Sequence, residues 1–330
     1  MRITREAPQF WRRSTLPWPA RVLLPFSWAF GAAAALRRLR STTARVDIPV
    51  LCCGNLSMGG TGKTILVRDL ATRLAARGAR PHILSRGYGG RLTGPIRVDT
   101  QHHDARDVGD EPLMLAQDFP VWIGADRAAT ARLAREAGAG CLLMDDGLQN
   151  LTLHQDLRLV TVDGGVGLGN GRVFPAGPLR EPANQGFARA DAIILIGRDE
   201  TGMAARLPEN LPFLAARLIP EATIRRLPGR QVIAFAGIGR PQKFFDMLIE
   251  AGVTPVRTLS FPDHHTYSER DCRRLSALAR QPGISLVTTR KDLVKLPDWL
   301  RSDVIAIDVE LLWSDPQAPE RLLDRLGLTQ

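Results

Sequence analysis

The stretch Ile48-Pro-Val-Leu-Cys-Cys-Gly-Asn-Leu-Ser-Met-Gly-Gly-Thr-Gly-Lys-Thr64 decides the fold. Its apolar first half reads as a strand buried on both faces. A glycine-rich loop follows and opens into residues 63–77, where Leu66, Leu70 and Leu74 recur at helical spacing before Gly78 stops the pattern. Gly59, Gly60 and Gly62 let the backbone turn N–H groups toward a phosphate, and the helix N-terminus adds its dipole. Ser57, Met58, Gly59, Gly60, Thr61, Gly62, Lys63 and Thr64 therefore read as a nucleotide cradle. Lys63 would reach the β- and γ-phosphates, and the Thr64 hydroxyl would bind Mg²⁺. Ser57 stands where the general pattern G-x-x-x-x-G-K-T has glycine. The competing reading is a plain glycine-rich turn. Composition argues against it: of 44 basic residues only Lys63, Lys243, Lys291 and Lys295 are lysines, so a lysine at the motif position is not incidental.

Working outward, Cys141-Leu-Leu-Met-Asp-Asp146 is an apolar strand that ends in two carboxylates. Strand ends lie beside the phosphate loop in doubly wound sheets, so Asp145 and Asp146 are candidate Mg²⁺ ligands. Further apolar runs at 48–53, 82–85, 121–124, 157–162 and 192–196 alternate with helical patterns, among them 125–136. The expectation is an α/β protein with a doubly wound, mainly parallel sheet. Residues 207–228 are rich in proline and break the rhythm, after which 231–236, 284–288 and 303–308 open a second series. The chain thus divides into a nucleotide-binding domain over 1–218 and a smaller α/β domain over 219–330. Thr289-Arg-Lys-Asp292 approaches a guanine-recognition motif, but its lysine falls one place late, which leaves ATP as the nucleotide.

Residues 16–36, LPWPARVLLPFSWAFGAAAAL, are almost uncharged and are flanked by Arg2, Arg5, Arg12 and Arg13 before and by Arg37, Arg38 and Arg40 after. Tryptophan with bordering arginine suits a membrane interface, and the length barely suffices to span one. A core helix is the alternative. The segment 1–40 is read as membrane-associating. No cleavage site marks a signal peptide, and the spacing of the four cysteines matches no zinc site, so they read as small, reduced core residues. The net charge of +10 favours an anionic partner. No helix-turn-helix, RNA-binding or zinc signature accompanies it, so nucleic acid is not expected.

Three more segments carry candidate chemistry. Ser85-Arg-Gly-Tyr-Gly-Gly90 closes a strand and serves either as plain turns or as a contact for phosphate or sugar. In Phe174-Pro-Ala-Gly-Pro-Leu-Arg-Glu181, Arg180 could stabilise the transferring phosphoryl group and Glu181 could assist at Mg²⁺; a surface ion pair is the alternative. Val108-Gly-Asp-Glu-Pro112 offers Asp110 and Glu111, either as caps of a following helix or as a base. His102, His103 and His154 lie in polar stretches and are assigned no role.

Together with Asp145-Asp-Gly-Leu-Gln149, Ala236-Gly-Ile-Gly239 and Phe261-Pro-Asp-His-His265, these segments form an ordered set that resembles the tetraacyldisaccharide 4′-kinase family, the lipid A 4′-kinases. The resemblance runs across most of the chain, and members of that family commonly lack glycine where Ser57 stands. It implies two α/β/α domains with ATP between them. It implies transfer to the 4′-hydroxyl of an acylated glucosamine disaccharide 1-phosphate at the cytoplasmic face of a bacterial inner membrane. It further implies that Asp110 is the catalytic base and that His264 pairs with it. Asn150 and Arg290 depart from the family pattern, which has histidine and glutamate there, so no role transfers to those two positions. The rival reading is a P-loop NTPase driving protein or metal delivery; such proteins carry paired cysteines or an early loop lysine that this chain lacks.

Overall fold

A nine-stranded and a four-stranded sheet organise the described residues (8–12, 17–39 and 42–328) of this computed structural model. The first sheet holds β1 (Val50–Asn55), β2 (Pro81–Ser85), β3 (Ile96–Arg97), β4 (Val121–Ile123), β5 (Cys141–Asp145), β6 (Leu157–Asp163), β7 (Ala192–Ile196), β8 (Phe213–Pro220) and β13 (Val309–Trp313). Its order is β13-β8-β7-β6-β1-β5-β2-β4-β3. All neighbours are parallel except the two edge pairs, β13 with β8 and β3 with β4. The second sheet, β9 (Gln231–Ala236), β10 (Pro255–Ser260), β11 (Ile284–Thr289) and β12 (Val304–Ile307), is wholly parallel in the order β10-β9-β11-β12. The helices are α1 (Trp18–Leu39), α2 (Lys63–Ala76), α3 (Ala105–Val108), α4 (Asp110–Leu115), α5 (Arg127–Glu136), α6 (Ala183–Phe187), α7 (Pro241–Glu250), α8 (Glu269–Ala279), α9 (Arg290–Leu293), α10 (Asp298–Arg301) and α11 (Ala318–Asp324).

The central strands are buried along their length, as β1, β5 and β7 illustrate. That is why they read as unbroken apolar runs: helices cover both faces. The helix α2 seats Leu66, Leu70 and Leu74 in the same apolar core as Leu51 of β1 and Leu143 of β5. Each such leucine contributes about 1.5–3 kcal/mol on burial. In β9 the two-residue alternation is visible. Val232, Ala234 and Ala236 join the cluster of α7, whereas Ile233 and Phe235 join that of α8.

The mixed α/β architecture with a large, mostly parallel sheet matches the sequence expectation. Sheet membership does not follow a split at residue 219. The strand β8 reaches Pro220 inside the first sheet, and after β12 the chain returns to it as β13 and α11. The returning segment buries Trp313, Leu322 and Leu323 in the first sheet's core, which explains why it does not stay with its sequence neighbours. The second lobe is thus an insertion between β8 and β13, and Asp308 alone separates β12 from β13. The strands β3, β8, β10 and β13 were not foreseen. In β8 and β10 most residues are at least partly exposed; β8 has only the short apolar run 213–216 before Arg217, and β10 has none.

The helix α1 forms where the apolar N-terminal segment was noted, and it continues through Pro25. Trp18, Val22, Phe26 and Trp28 are exposed along it. Ser27 is buried against the body, donates to the Val173 carbonyl at 2.8 Å and accepts from the Ala176 N–H at 3.0 Å. The Phe30 and Phe174 rings meet edge-on with centroids 5.5 Å apart. The basic flanks Arg2, Arg5, Arg13 and Arg40 lie outside the described residues.

Candidate active site

The phosphate loop leaves β1 through Asn55 and enters α2 at Lys63, with Gly62 at the left-handed φ of 83°. A side chain at Gly62 would meet Ile196 Cδ1 at 3.0 Å, so both backbone conformation and packing call for glycine. The loop is braced from within and from without. Asn55 Nδ2 donates to the carbonyls of Ser57 (2.7 Å) and Gly59 (3.3 Å), and the Thr61 and Thr161 hydroxyls share a hydrogen bond of 2.7 Å. From outside, the Met58 N–H donates to the Pro178 carbonyl and the Arg180 N–H to that of Leu56. The expected loop residues Ser57 to Thr64 are therefore brought together, and Met58, Gly59 and Gly60 present an exposed rim. Lys63 Nζ donates to Asn55 Oδ1 at 3.0 Å and lies 3.5 Å from Asp146 Oδ1.

The end of β5 stands next to this loop because Asp145 is in register with Cys53 of β1. Asp145 is buried and its Oδ1 has no hydrogen-bond partner. Burial pushes its carboxyl well above the ordinary range, and the charge of Glu111 adds to this while Lys63 opposes it. An orphaned buried carboxylate oxygen next to a second carboxylate, Asp146, at the end of the strand paired with β1, fits a hard divalent cation. Among the described residues no group of three or more His, Cys, Asp and Glu forms a metal cage of its own. That pattern suits Mg²⁺, which keeps waters and phosphate oxygens in its coordination shell. For Asp146, burial pushes the carboxyl up, but Lys63 and Arg180 more than offset it and hold it below the usual range. Arg180 Nη1 donates to both Asp146 oxygens at 2.8 Å.

Glu181 was expected at the metal. In this structure both its oxygens accept from Arg189 Nη2, at 2.8 and 2.7 Å, and Oε1 also accepts from Gln149 Nε2 at 3.1 Å. Gln149 in turn donates to the Asn55 carbonyl and accepts from Arg180. Asn55, Gln149 and Arg189 are thus site residues that carried no role in the sequence reading. The Asp-Asp-Gly-Leu-Gln motif contained one of them without revealing its contacts. Arg127 was missed as well. It is buried and donates to the Ser85 carbonyl at 2.7 Å and to that of Gly124.

The other half of the site joins the turn before α4 in the first lobe to the loop after β10 in the second. Gly109, at φ 92°, turns the chain into α4, and a side chain there would lie 2.5 Å from the Tyr88 carbonyl. The Ser85–Gly90 loop packs on that turn. Asp110 is buried at the start of α4, and its Oδ2 lies 3.0 Å from His264 Nδ1. The Tyr88 ring stands edge-on to the imidazole, with centroids 6.0 Å apart. Two residues 154 positions apart are therefore paired, as the resemblance implied. Among the described residues, Asp146 and His264 are the two non-glycine residues with positive φ, 58° and 54°. Such backbone conformations cost free energy and concentrate at functional positions.

A phosphate loop beside strand-end carboxylates, with a carboxylate–imidazole pair joining the two lobes, defines a P-loop phosphotransferase. The chain belongs to the tetraacyldisaccharide-1-P 4′-kinase family, whose model matches residues 19–327. A tetraacyldisaccharide 4′-kinase of Gluconobacter oxydans is 57% identical over 324 residues, covering 98% of this chain and 99% of its own. That of Gluconacetobacter diazotrophicus is 56% identical over 319 residues, covering 97% of each. Among solved structures, an "apo" form of LpxK from Aquifex aeolicus in complex with ATP superposes with a TM-score of 0.78. It is 28% identical and covers 93% of this chain and 99% of its own.

Proposed function

We propose that the chain transfers the γ-phosphoryl group of ATP to the 4′-hydroxyl of an acylated glucosamine disaccharide 1-phosphate, a step of lipid A biosynthesis. The observation that carries this reading is the Asp110–His264 pair, which joins the two lobes in a phosphate-loop chain of this family. The Ser57–Thr64 backbone cradles the triphosphate, and Lys63 exchanges its contacts with Asn55 and Asp146 for the β–γ bridge, where charge accumulates. Thr64, Asp145 and Asp146 are the residues that would hold Mg²⁺, which supplies charge neutralisation at the phosphate oxygens. Arg180, held by Asp146, lies ready to stabilise the transferring group. Glu181 fixes the loop that carries Arg180, through Arg189 and Gln149.

A sugar hydroxyl is a poor nucleophile, so the acceptor needs its proton taken as the new O–P bond forms. Asp110 takes it and His264 aligns the carboxylate. Residues 231–307 close over the phosphate loop once substrate is present, which completes the site only then and limits hydrolysis. The exposed aromatic face of α1 lies at the membrane interface, on the cytoplasmic face of a bacterial inner membrane, beside a lipid acceptor.

Radiolabelled transfer from ATP to purified acylated disaccharide 1-phosphate tests the reading. ATP hydrolysis without labelled lipid would favour the NTPase instead. Deleting residues 1–40 is expected to move the protein to the soluble fraction; continued sedimentation with membranes removes this segment as the anchor.

A further inference from the structure

The chain crosses between the lobes twice, at Glu221 after β8 and at Asp308 between β12 and β13, and the two crossings run side by side. Val309 is in register with Pro220, and the Glu221 N–H donates to the Asp308 carbonyl at 3.0 Å. The buried Arg68 of α2 grips both crossings. It donates to the Asp308 carboxylate and, at 2.7 Å, to the Val309 carbonyl, and it lies 3.5 Å from Glu221 Oε1. Arg290, the first residue of α9 in the second lobe, holds the same carboxylate: its Nη1 donates to Asp308 Oδ2 at 2.7 Å. Its Nη2 reaches the other way, to Asp118 Oδ1 at 2.7 Å and Gln117 Oε1 at 3.4 Å, in the first-lobe segment that follows α4. The next residue, Lys291, donates to Glu111 Oε1 at 3.1 Å in the first turn of α4.

We infer that Arg290 is a positioning residue that latches the second lobe against the first, holding one carboxylate at the chain crossings and another across the lobe boundary. This inference rests on the reading that the lobes close around the substrates.

Both covalent links between the lobes pass through these crossings, so a rigid rotation of the second lobe turns about them. Asp308 sits on that axis and keeps Arg290 through the motion. Asp118 belongs to the first lobe, and a shift of about 1 Å takes its contact beyond hydrogen-bond range. The segment from Glu111 to Asp118 runs away from the axis toward the acceptor half, so slack at the Asp118 end is amplified at the Glu111 end. Arg290 removes that slack where it begins. Its charge is decisive in these surroundings. Two cations, Arg68 and Arg290, face three carboxylates, Asp308, Glu221 and Asp118. A glutamate at position 290, the residue of the family pattern, would leave four carboxylates around Arg68 alone and make the contact across the boundary repulsive. The side chains of Arg290 and Asp118 are 17% and 34% exposed, so the bond between them carries the weight of a partly screened pair, about two- to fivefold in the closing equilibrium.

The test reads the lobe separation and the transfer rate together. All four native cysteines are buried, so spin labels go on Arg132→Cys of α5 and Val256→Cys of β10, both exposed. Double electron–electron resonance then gives the distance with and without a non-hydrolysable ATP analogue and acylated disaccharide 1-phosphate. The labelled parent enzyme is expected to gain a closed population when both are bound. Asp118→Asn, which cuts only the bond across the boundary, should lower the closed-to-open ratio about two- to fivefold. It should lower kcat/KM for the acceptor by the same factor, with affinity for the ATP analogue alone unchanged. Arg290→Glu should lower both about tenfold or more, and adding Asp118→Arg should recover part of the loss, which a merely damaged fold does not allow. Parental distances and transfer in Asp118→Asn and Arg290→Glu would overturn the latch and leave closure intact, as would a swapped pair with no recovery. A parent enzyme that transfers phosphate while its distances stay fixed overturns closure and this inference with it. Should Arg290→Glu fail to fold, the conservative Asp118→Asn change at a partly exposed side chain decides the question by itself.

Discussion

The two halves of the site are built in opposite ways. The phosphate-binding half lies within ten consecutive residues, Asn55 to Thr64, and its geometry comes from one strand, one turn and one helix start. The acceptor half joins Asp110 to His264 across 154 positions and between two sheets. The first can form wherever its local sequence folds. The second exists only when the lobes are in register. Local chemistry is thus secured by sequence, while the proton-handling chemistry is tied to a conformation.

The largest effect should come from the contiguous half. Lys63→Ala is expected to lower transfer by at least about 10²–10³-fold, with thermal unfolding nearly unchanged because the lysine sits half-buried at the first position of α2 rather than in the core. Lys63→Arg should fail too, since a planar fork does not fill a nest shaped for a compact cation. Wild-type turnover in the arginine variant would remove Lys63 from the phosphate loop. For the assembled half, Asp110→Ala and His264→Ala should each reduce turnover about 10²-fold while nucleotide affinity holds. The double variant should lose far less than the product, because members of one unit are not additive. Fully multiplicative losses would break the pair into two independent residues.

Gly109→Ala probes the hinge of the comparison. A Cβ at φ 92°, 2.5 Å from the Tyr88 carbonyl, forces the turn that delivers Asp110 to move. A stability loss of about 1–3 kcal/mol in denaturant unfolding is expected, with transfer falling more than nucleotide binding. Equal losses in both would mean that the two halves are not separable.

The smallest effect concerns the contiguous half, which also leans on distant chain. Glu320 of α11 accepts from Arg73 (2.7 Å) and Arg77 (3.0 Å) of α2. The Arg77 hydrogen bond, then that of Arg73, holds the Glu320 carboxyl below its ordinary range. A depressed folded-state value means that the stabilisation is present above the unfolded value and lost as pH falls through the folded one. Amide exchange in α11 should therefore quicken first below roughly pH 4, and Glu320→Gln should flatten that dependence.

What was legible in the sequence follows the same division. The 48–64 stretch could be read because each of its signals is local: apolar run, glycines, scarce lysine, leucine spacing. Asp118 and Asp308 gave no such signal, since their meaning lies in contacts with Arg68 and Arg290. The strand β8 was lost because Phe213 and most of its later residues are at least partly exposed and Pro220 ends it, so no periodicity stood out. Sheet membership beyond residue 219 was hidden for a related reason. Composition does not show that Trp313 and Leu323 pack in the first lobe's core. The contact of Glu181 with Arg189 was equally hidden, since the two meet only once the 174–189 segment is folded and Glu181 is buried.

The return of the chain after Asp308 has a consequence for biogenesis. The strand β13 completes the edge of the first sheet and α11 docks on α2, yet both are made after the whole second lobe. During translation the nucleotide-binding sheet must wait, its β8 edge unpaired, while residues 221–308 emerge from the ribosome and collapse. At about 5–20 residues per second that pause lasts several seconds. The nascent protein therefore gains its finished phosphate-loop support only after the second lobe has been made.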